Sequence, residues 1–444
     1  MNTKEQEFYP LDQLEGFSVK PIIMALFFLL LTTYSYNHVF RVGINLYMSD
    51  LLVIAIMLFT IVQLFYRGSF CQYRNFKFLF SLLFMYYLFL IFYSYAILGN
   101  ALNMVFGRFR MLFFYPLLFF PGLLFTSNKR DVDRYLRMIE IYVLISVIIG
   151  LLSLKFPALN LIHRFKEGDS GVIQDESPYF MIVSHGTALL CCLILIGGIF
   201  PLLKEPKKIF KPVFFMAISL VGIMGTQNRG ILIVTLLSLF LSFFFSRKGE
   251  QLIRIRIKKA IFSLIILFVG FVFILTHSPI YEKFEERIDN TIKTFTGEKY
   301  FFHSVTGIRI GRTITTFKEW LKTPLIGCGW GNQIKVYYIY DLEGNYVRTN
   351  YGTPHNYYLT ILYQTGIPGF AIMICIFYGI YRSLKPREPL NRENTTAYSL
   401  FIFYLAFLVF NIANTHLYAH PVFIPVNFFL LGTAVSYSHQ LKND

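Results

Sequence analysis

Charged residues are scarce in this chain of 444 residues, and their scarcity excludes an ordinary soluble fold. Asp, Glu, Lys and Arg make up only 15% of the sequence, whereas 55% of it is hydrophobic and 18% is aromatic. One soluble core could not hide so much apolar surface from water. The composition therefore predicts an integral membrane protein.

Acidic residues are the rarer of the charged types: 25 Asp and Glu stand against 41 Lys and Arg, which gives a net charge of +16. In a soluble protein this excess would suggest a nucleic-acid partner. Here the cations lie in short loops between apolar runs, where membrane topology accounts for them. We expect membrane lipid as a partner and no nucleic acid.

Cysteine is also rare, and its five positions match neither a disulfide framework nor a cage of metal ligands. Asp131 and Asp133 do form the two-carboxylate pattern with which nucleotide-sugar transferases hold a divalent ion. These acids lie in a short basic loop just before an apolar run, however, so a role at the start of a helix is the favoured interpretation. We expect no metal and no cofactor.

Apolar runs long enough to cross a bilayer, about 20 residues for about 30 Å of hydrocarbon, occur about twelve times. They begin near Pro21, Asn45, Phe76, Met104, Leu136, Tyr179, Lys211, Ile231, Ala260, Asn356, Tyr398 and Pro421. No small-residue cleavage site follows the first run, so it is interpreted as a retained span. The predicted fold is an all-α polytopic membrane protein, a single transmembrane domain over residues 1–444 with about twelve helices.

The distribution of cations predicts the orientation of these helices. Five loops are rich in Lys and Arg, near residues 67–77, 129–134, 204–211, 247–259 and 385–392. The positive-inside rule places these loops and both termini in the cytoplasm. The same parity puts the long polar segment 277–355 outside, where its length indicates a folded, functional loop over the outer face.

Within this loop, apolar residues at helical spacing predict an amphipathic helix from Arg309 to Lys322 that ends near Pro324. Arg309 and Arg312 lie off its apolar stripe. The stripe consists of Ile310, Ile314, Phe317 and Leu321. Three alternating glycines follow at positions 327, 329 and 331; without a strand before them and a helix after them, a turn is favoured over a nucleotide-binding motif.

The next apolar segment, residues 355–383, would be about 42 Å long as one helix, which exceeds the hydrocarbon core. Gly366, Pro368 and Gly369 predict a break within it. The first part would lie at the outer interface with His355 at its N-terminus, where the helix dipole favours a neutral, basic ring. A general base and an uninvolved loop histidine both remain open for His355.

Buried charges offer the other candidates for chemistry. Arg108, Arg110 and Arg229 are predicted near the outer ends of their spans, a pattern that suggests an anion, although snorkelling arginines at helix ends would look the same. The acids predicted within spans are Asp50 and Glu140, near opposite ends. This is not the carboxylate relay of a proton- or sodium-coupled transporter.

Three segments read in order give a specific resemblance. They are Gln-Asn-Arg-Gly at 227–230, Gly-Ile-Arg at 307–309 running on to Pro-Leu-Ile-Gly-Cys-Gly-Trp-Gly-Asn at 324–332, and His-Asn-Tyr-Tyr-Leu at 355–359 with Gly366 and Gly369 downstream. Over about residues 222–370 the chain resembles the bacterial O-antigen ligase and O-antigen polymerase family. The resemblance departs from the family pattern at Gln227, Asn228 and Thr313.

The resemblance implies an inner-membrane glycosyltransferase of lipopolysaccharide or polysaccharide biosynthesis. Such an enzyme moves a glycan from undecaprenyl diphosphate to an acceptor hydroxyl, on lipid A core or another glycan, at the periplasmic face without a metal. It implies that His355, Arg229 and Arg309 are functional and that loop 277–355 carries part of the active site. Arg229 and Arg309 would bind the diphosphate, helped by Arg312 and Arg108, and His355 would act as base in an inverting displacement.

Two other classes remain as alternatives. A lipid-linked glycan flippase or polysaccharide transporter would also present outward arginines, but it should show cations along a central cavity and needs no histidine. A structural assembly partner without activity would tolerate replacement of His355. Ligase and polymerase share the donor, and the sequence does not separate them.

Overall fold

The computed structural model describes residues 19–36, 48–67, 73–156, 185–199, 210–226, 229–246, 305–331, 334–340, 346–351, 356–391, 393–413 and 423–443, with isolated helical positions between 258 and 269. These residues are predominantly helical, as the sequence predicts. The first six helices are α1 (Val19–Tyr36), α2 (Met48–Arg67), α3 (Arg74–Phe92), α4 (Leu102–Phe109), α5 (Phe119–Leu124) and α6 (Lys129–Lys155). The others are α7 (His185–Ile199), α8 (Phe210–Gly225), α9 (Arg229–Ser246), α10 (Val305–Trp320), α11 (Tyr357–Leu384), α12 (Thr395–Ala413) and α13 (Phe423–Asn443).

Two of these helices change winding before they end. The chain leaves α3 through a π-helical turn, Tyr93–Ile97, and leaves α4 through another, Arg110–Phe114, followed by a 3₁₀ turn, Pro116–Leu118, that leads into α5. Turns with π winding are rare and often lie at functional sites. Both are close to the loop segment described below.

Five helical segments are long and apolar enough to cross a membrane: Arg74–Ile97, Leu102–Leu124, Lys129–Ser153, Tyr357–Leu384 and Thr395–Ile412. The chain is therefore a multi-pass membrane protein. Shorter apolar helices lie at five further predicted positions. The helix at the position predicted from near Pro421, α13, is not among these ten segments. The span predicted from near Ala260 falls largely outside the described residues, so the count of twelve stays a prediction.

A two-stranded antiparallel sheet within the predicted outer loop was not anticipated. Strand β1 (Ile334–Tyr340) pairs with β2 (Tyr346–Tyr351), and the register sets Tyr340 opposite Tyr346 and Tyr337 opposite Thr349. Val, Ile, Thr and Tyr dominate both strands, and these residue types favour a pleated backbone. The loop is thus partly helical, as predicted, and partly a β-hairpin.

Aromatic side chains hold the helical body together. Phe27 of α1 packs on Tyr135 of α6 and on Phe429 of α13, with ring centroids 5.4 and 4.5 Å apart. Tyr135 and Phe429 also meet, at 5.1 Å. All three side chains are buried. This cluster ties the first and last described helices together.

Candidate functional site

Antiparallel packing brings the starts of α9 and α11 to one end of the helical body. The Tyr358 hydroxyl, at the start of α11, donates to the Leu408 carbonyl near the end of α12. Phe245, near the end of α9, packs on Phe401 near the start of α12. Helix α9 therefore runs opposite to α12, and Arg229 lies at the same end as the last turns of α12. The contact with Leu408 places Asn356 near those turns as well. The first part of α11 folds back beside its second part, because the rings of Tyr357 and Tyr358 lie 6.5 and 6.3 Å from that of Phe377. We call the end of the helical body that holds Arg229 and Asn356 the Asn356 end.

Helix α11 begins where the sequence predicts. Asn356 caps it: the Asn356 side-chain oxygen accepts from the Leu359 amide at 2.9 Å, and its carbonyl accepts from the Thr360 amide and hydroxyl. A capping asparagine satisfies amides that the first helical turn leaves without partners. His355 precedes this cap directly in sequence and lies outside the described residues.

The predicted break in α11 falls at Gly366, whose φ of 64° and ψ of −169° are not helical. The segment from Pro324 to Cys328 fills the break. The Ile367 amide donates to the Pro324 carbonyl at 3.0 Å, and the Cys328 amide donates to the Tyr363 carbonyl at 2.8 Å. Backbone groups that a broken helix would leave without partners are thus satisfied by the loop.

The two backbones meet so closely that only glycine fits. A Cβ atom at Gly366 would lie 2.2 Å from the Leu325 carbonyl oxygen, and one at Gly327 would lie 2.6 Å from the Gly366 amide nitrogen. Gly327, Gly329 and Gly331 all have φ near +80°. The alternating glycines therefore form a turn, as favoured from the sequence, and we call residues 324–331 the docking turn.

The docking turn is anchored by Trp330, whose anchoring role sequence reasoning did not predict. Trp330 is fully buried, and its ring lies edge-to-face on Tyr87 at 4.8 Å. Its amide donates to the Ser94 hydroxyl at 2.7 Å, and its carbonyl accepts from the Asn100 side chain at 2.8 Å. The available signal was rarity: the chain has only two tryptophans, and glycines flank this one.

Arg309 and Arg312 belong to α10, which leads directly into the docking turn. The predicted helix is confirmed, with a start four residues earlier and an end two residues earlier than expected. Helix α10 packs on α11 and on β1. The structure gives the backbone of Arg309 and Arg312, and of Arg229 at the start of α9, but does not describe their side chains.

Arg108 and Arg110 lie in the same region but have different surroundings. Arg110 Nη1 lies 2.8 Å from Asp50 Oδ2, and the Tyr115 hydroxyl donates to the other oxygen of that carboxylate. The anion that pairs with Arg110 is therefore the carboxylate of Asp50, within the protein itself. Arg108 is half-buried on α4, next to Phe109, whose ring lies 6.1 Å from that of Trp330.

Asp131, the first acid of the two-carboxylate pattern, has a structural role. Asp131 accepts from the Ser127 amide and from Lys20, at 3.0 and 3.2 Å, while the Asn128 side chain caps α6 by accepting from the Asp131 amide. Asp131 is thus an acid at a helix start, as favoured from the sequence. Within the described part of the chain, no group of three or more His, Cys, Asp or Glu is placed to hold a metal ion.

Comparison with known proteins identifies the region that carries this geometry. Residues 214–374 match the family model described as O-antigen ligase, which spans a little over a third of the chain from α8 into α11. A search of curated proteins gave no match. The match covers the starts of α9 and α11, α10 and the docking turn. It confirms the resemblance and suggests a glycan-transferring enzyme that acts on lipid-linked glycan and acceptor substrates.

Proposed function

We propose that this chain, whose residues 214–374 support assignment to the O-antigen ligase family, is an inverting, metal-independent membrane glycosyltransferase. It transfers a glycan from undecaprenyl diphosphate to an acceptor hydroxyl at the periplasmic face of the bacterial inner membrane. The observation that carries the proposal is the Asn356 end. There the start of α9, the start of α11 and the docking turn belong to one packed unit inside the family match.

The site follows from the positions of three elements. Arg229 is the first residue of α9, Arg309 lies in α10, and His355 directly precedes the cap of α11. Helix α10 is tied to α11 through the docking turn, and α9 is tied to α11 through α12. These links support a site in which two cations and one imidazole act on one substrate.

The reaction requires the chemistry that these residue types supply. A glycosyl diphosphate already carries a good leaving group, so the enzyme must bind the diphosphate and stabilise the charge that develops on its bridging oxygen. Arg229 and Arg309 do this through charge-assisted, bidentate hydrogen bonds. His355 takes the proton from the acceptor hydroxyl as the oxygen attacks the anomeric carbon. In-line attack inverts that centre.

Arg312 and Arg108 are proposed as helpers in diphosphate binding. By helical periodicity, positions 309 and 312 share the side of α10 that carries Thr316, which is fully buried. Arg108 stands one residue before Phe109, a neighbour of Trp330. Position 312 thus lies on the packed side of the helix that leads into the docking turn, and Arg108 lies close to Trp330 of that turn.

The alternative of a transporter receives less support from the described residues. The two acids that the sequence places within spans are each paired with a cation: Asp50 with Arg110, and Glu140 with Lys211, both at 2.8 Å. Two carboxylates that are each paired with a cation, near opposite ends of their spans, do not form a continuous relay for coupling ions. A flippase would need a cationic path through the spans, and the cations assigned to the site lie at one end.

Purified protein in phospholipid vesicles, supplied with lipid-linked donor and acceptor glycan, tests the proposal. We expect glycan on the acceptor and free undecaprenyl diphosphate, with EDTA making no difference. Movement of intact donor across the bilayer without new product would support the flippase instead. A lipopolysaccharide gel from a deletion strain then separates the two family activities: lost ligation leaves polymer on undecaprenol, and lost polymerisation leaves one repeat unit on its acceptor.

A further inference from the structure

Helix α10 exposes an apolar face. Ile314, Phe317 and Leu321 are 50%, 46% and 54% exposed. Their spacing of three and four residues puts them on one side of the helix, within an arc of about 60°. Thr316, on the opposite side, is fully buried. Three large apolar side chains in water on one short helix would be costly, so this arc needs an apolar environment.

Lysines border the apolar arc. Lys318 and Lys322 each follow a residue of the arc by one position, which sets them about 40° and 80° around the helix from Ile314. Lys322 pairs with Glu319 at 2.6 Å, and both side chains are exposed. Large apolar side chains beside lysines are typical of a helix that lies in the interface of a bilayer.

The docking turn fixes the depth of this helix. It joins α11 at Gly366, and the α11 segment from Ile367 to Leu384 is about 27 Å long at 1.5 Å per residue. That length is close to the 30 Å or so of a bilayer's hydrocarbon core. Trp330 reaches Ser94, in the π-helical turn that follows α3, about 30 Å along the helical segment from Arg74. Two spanning helices therefore place the end of α10 near the same membrane boundary.

The apolar arc continues into the surface of the spans. Leu325, in the docking turn, is 69% exposed and stands beside Pro324, whose carbonyl accepts from Ile367. Ile367 and Leu98 are themselves exposed apolar residues of the spanning segments or their ends. Lipid that surrounds the spans would thus also reach the face of α10.

We propose that α10 lies in the interfacial layer of the bilayer at the Asn356 end, with Ile314, Phe317 and Leu321 among the acyl chains and Lys318 and Lys322 at the phosphates. The occupant of this face is the phospholipid leaflet. A second protein would interrupt the lipid around the spans, and the bordering lysines match phosphate groups. In this position α10 is held at the level of lipid headgroups, independently of what the enzyme transfers.

Spin labels along α10 in the full chain test the placement. Single variants Ile314→Cys, Phe317→Cys and Leu321→Cys are labelled with a nitroxide in a background with Cys71, Cys328 and Cys375 replaced by serine. Lys318→Cys and Lys322→Cys are the matched controls on the same helix. In vesicles of phosphatidylethanolamine and phosphatidylglycerol, collisions with oxygen and with a water-soluble nickel chelate report depth.

We expect the three apolar positions to favour oxygen over nickel, at a depth of about 5–10 Å below the phosphates, and the two lysine positions to favour nickel. Equal nickel accessibility at all five positions would place α10 in water and overturn the proposal. Protection of the apolar positions from both agents would assign the face to a protein contact and overturn it as well. Labels at Phe92, on a span, and at Glu388, in a loop, calibrate the scale. Glycan transfer plays no part in this measurement, so its outcome stands apart from that of the proposed function.

Discussion

At the scale of single residues, the proposed base gives the sharpest prediction. His355→Ala should lower the transfer rate at saturating donor by about a hundred- to ten-thousand-fold, because a general base acts on the transition state. Donor binding should change little. Initial rates and donor-binding isotherms on folded protein measure both quantities.

His439→Ala is the matched control for this variant. His439 packs on Tyr73, just before the start of α3, and is therefore at the opposite end of the body from Trp330 and Ser94. It should transfer at the rate of the unmodified protein. If His355→Ala is equally active, the histidine has no catalytic role; if it loses folded protein instead of rate, it supports the helix.

Replacing Arg229 or Arg309 should weaken donor binding, whereas replacing His355 should slow turnover. A charge-assisted hydrogen bond contributes about 1.5–3 kcal/mol, so Arg229→Ala and Arg309→Ala should each weaken donor binding about 10- to 100-fold. Lysine should restore little, since it keeps the charge but loses the bidentate geometry. Arg382→Ala, in the last turn of α11, serves as a control. Normal donor affinity in both alanine variants would contradict the proposal that Arg229 and Arg309 bind the diphosphate.

Cys328 gives a prediction about pH. Burial raises the pKa of this thiol above its ordinary value, and hydrogen bonds to Thr323 and Tyr363 oppose the shift only in part. The neutral thiol is therefore favoured in the folded protein, and the stability that it contributes is lost as pH rises above the pKa of the unfolded thiol. Alkylation of folded protein at pH 8 should be slower than that of a free thiol and should accelerate above pH 9. Equal rates at pH 8, measured by mass spectrometry, would contradict this.

At the scale of elements, the joint between the docking turn and α11 depends on Gly366. Its backbone conformation is essentially restricted to glycine, and a Cβ atom would meet the Leu325 carbonyl. Backbone strain alone should therefore lower the free energy of unfolding of Gly366→Ala by about 1–3 kcal/mol, and the clash should lower it further and separate α10 from α11. Gly107→Ala, where a Cβ atom meets nothing within 4 Å, should be neutral. Thermal unfolding and transfer rates of both variants provide the comparison; equal behaviour would mean that the joint adapts.

Elements were predictable wherever local rules decide them. The break at Gly366 follows from helix length and glycine, α10 follows from apolar spacing, and the start of α11 follows from where the apolar segment begins. The anchoring contacts of Trp330 and the Asp50–Arg110 pair were not predicted because they join residues far apart: Trp330 and Ser94 are 236 positions apart in sequence. Periodicity carries no information about such pairs. The β-hairpin was missed because helical patterns dominate the chain around it.

At the scale of the whole molecule, composition and loop charge predict a membrane protein and an orientation. The structure supports the first through five membrane-length helices. It also assigns elements to the two ends of the helical body. Helices α9 and α11 start at one end, and Gly379 of α11 lies beside Phe76, near the start of α3, at the other. The charges of the loops predict which end faces the cytoplasm, because short loops rich in Lys and Arg are not translocated across the membrane.

The orientation therefore yields the last prediction. Asn345→Cys, in the loop predicted outside, should react in intact cells with a thiol reagent that cannot cross the inner membrane, and Glu388→Cys, in a loop predicted inside, should react only after the membrane is opened. Both are introduced after replacing Cys71, Cys328 and Cys375 with serine. Loops 129–134 and 385–392 are both rich in cations and are predicted on the cytoplasmic side. An Arg130→Cys variant should therefore behave like Glu388→Cys. If Asn345→Cys reacts only after the membrane is opened, the predicted orientation is wrong. The Asn356 end would then face the cytoplasm, and the proposed periplasmic reaction would be excluded.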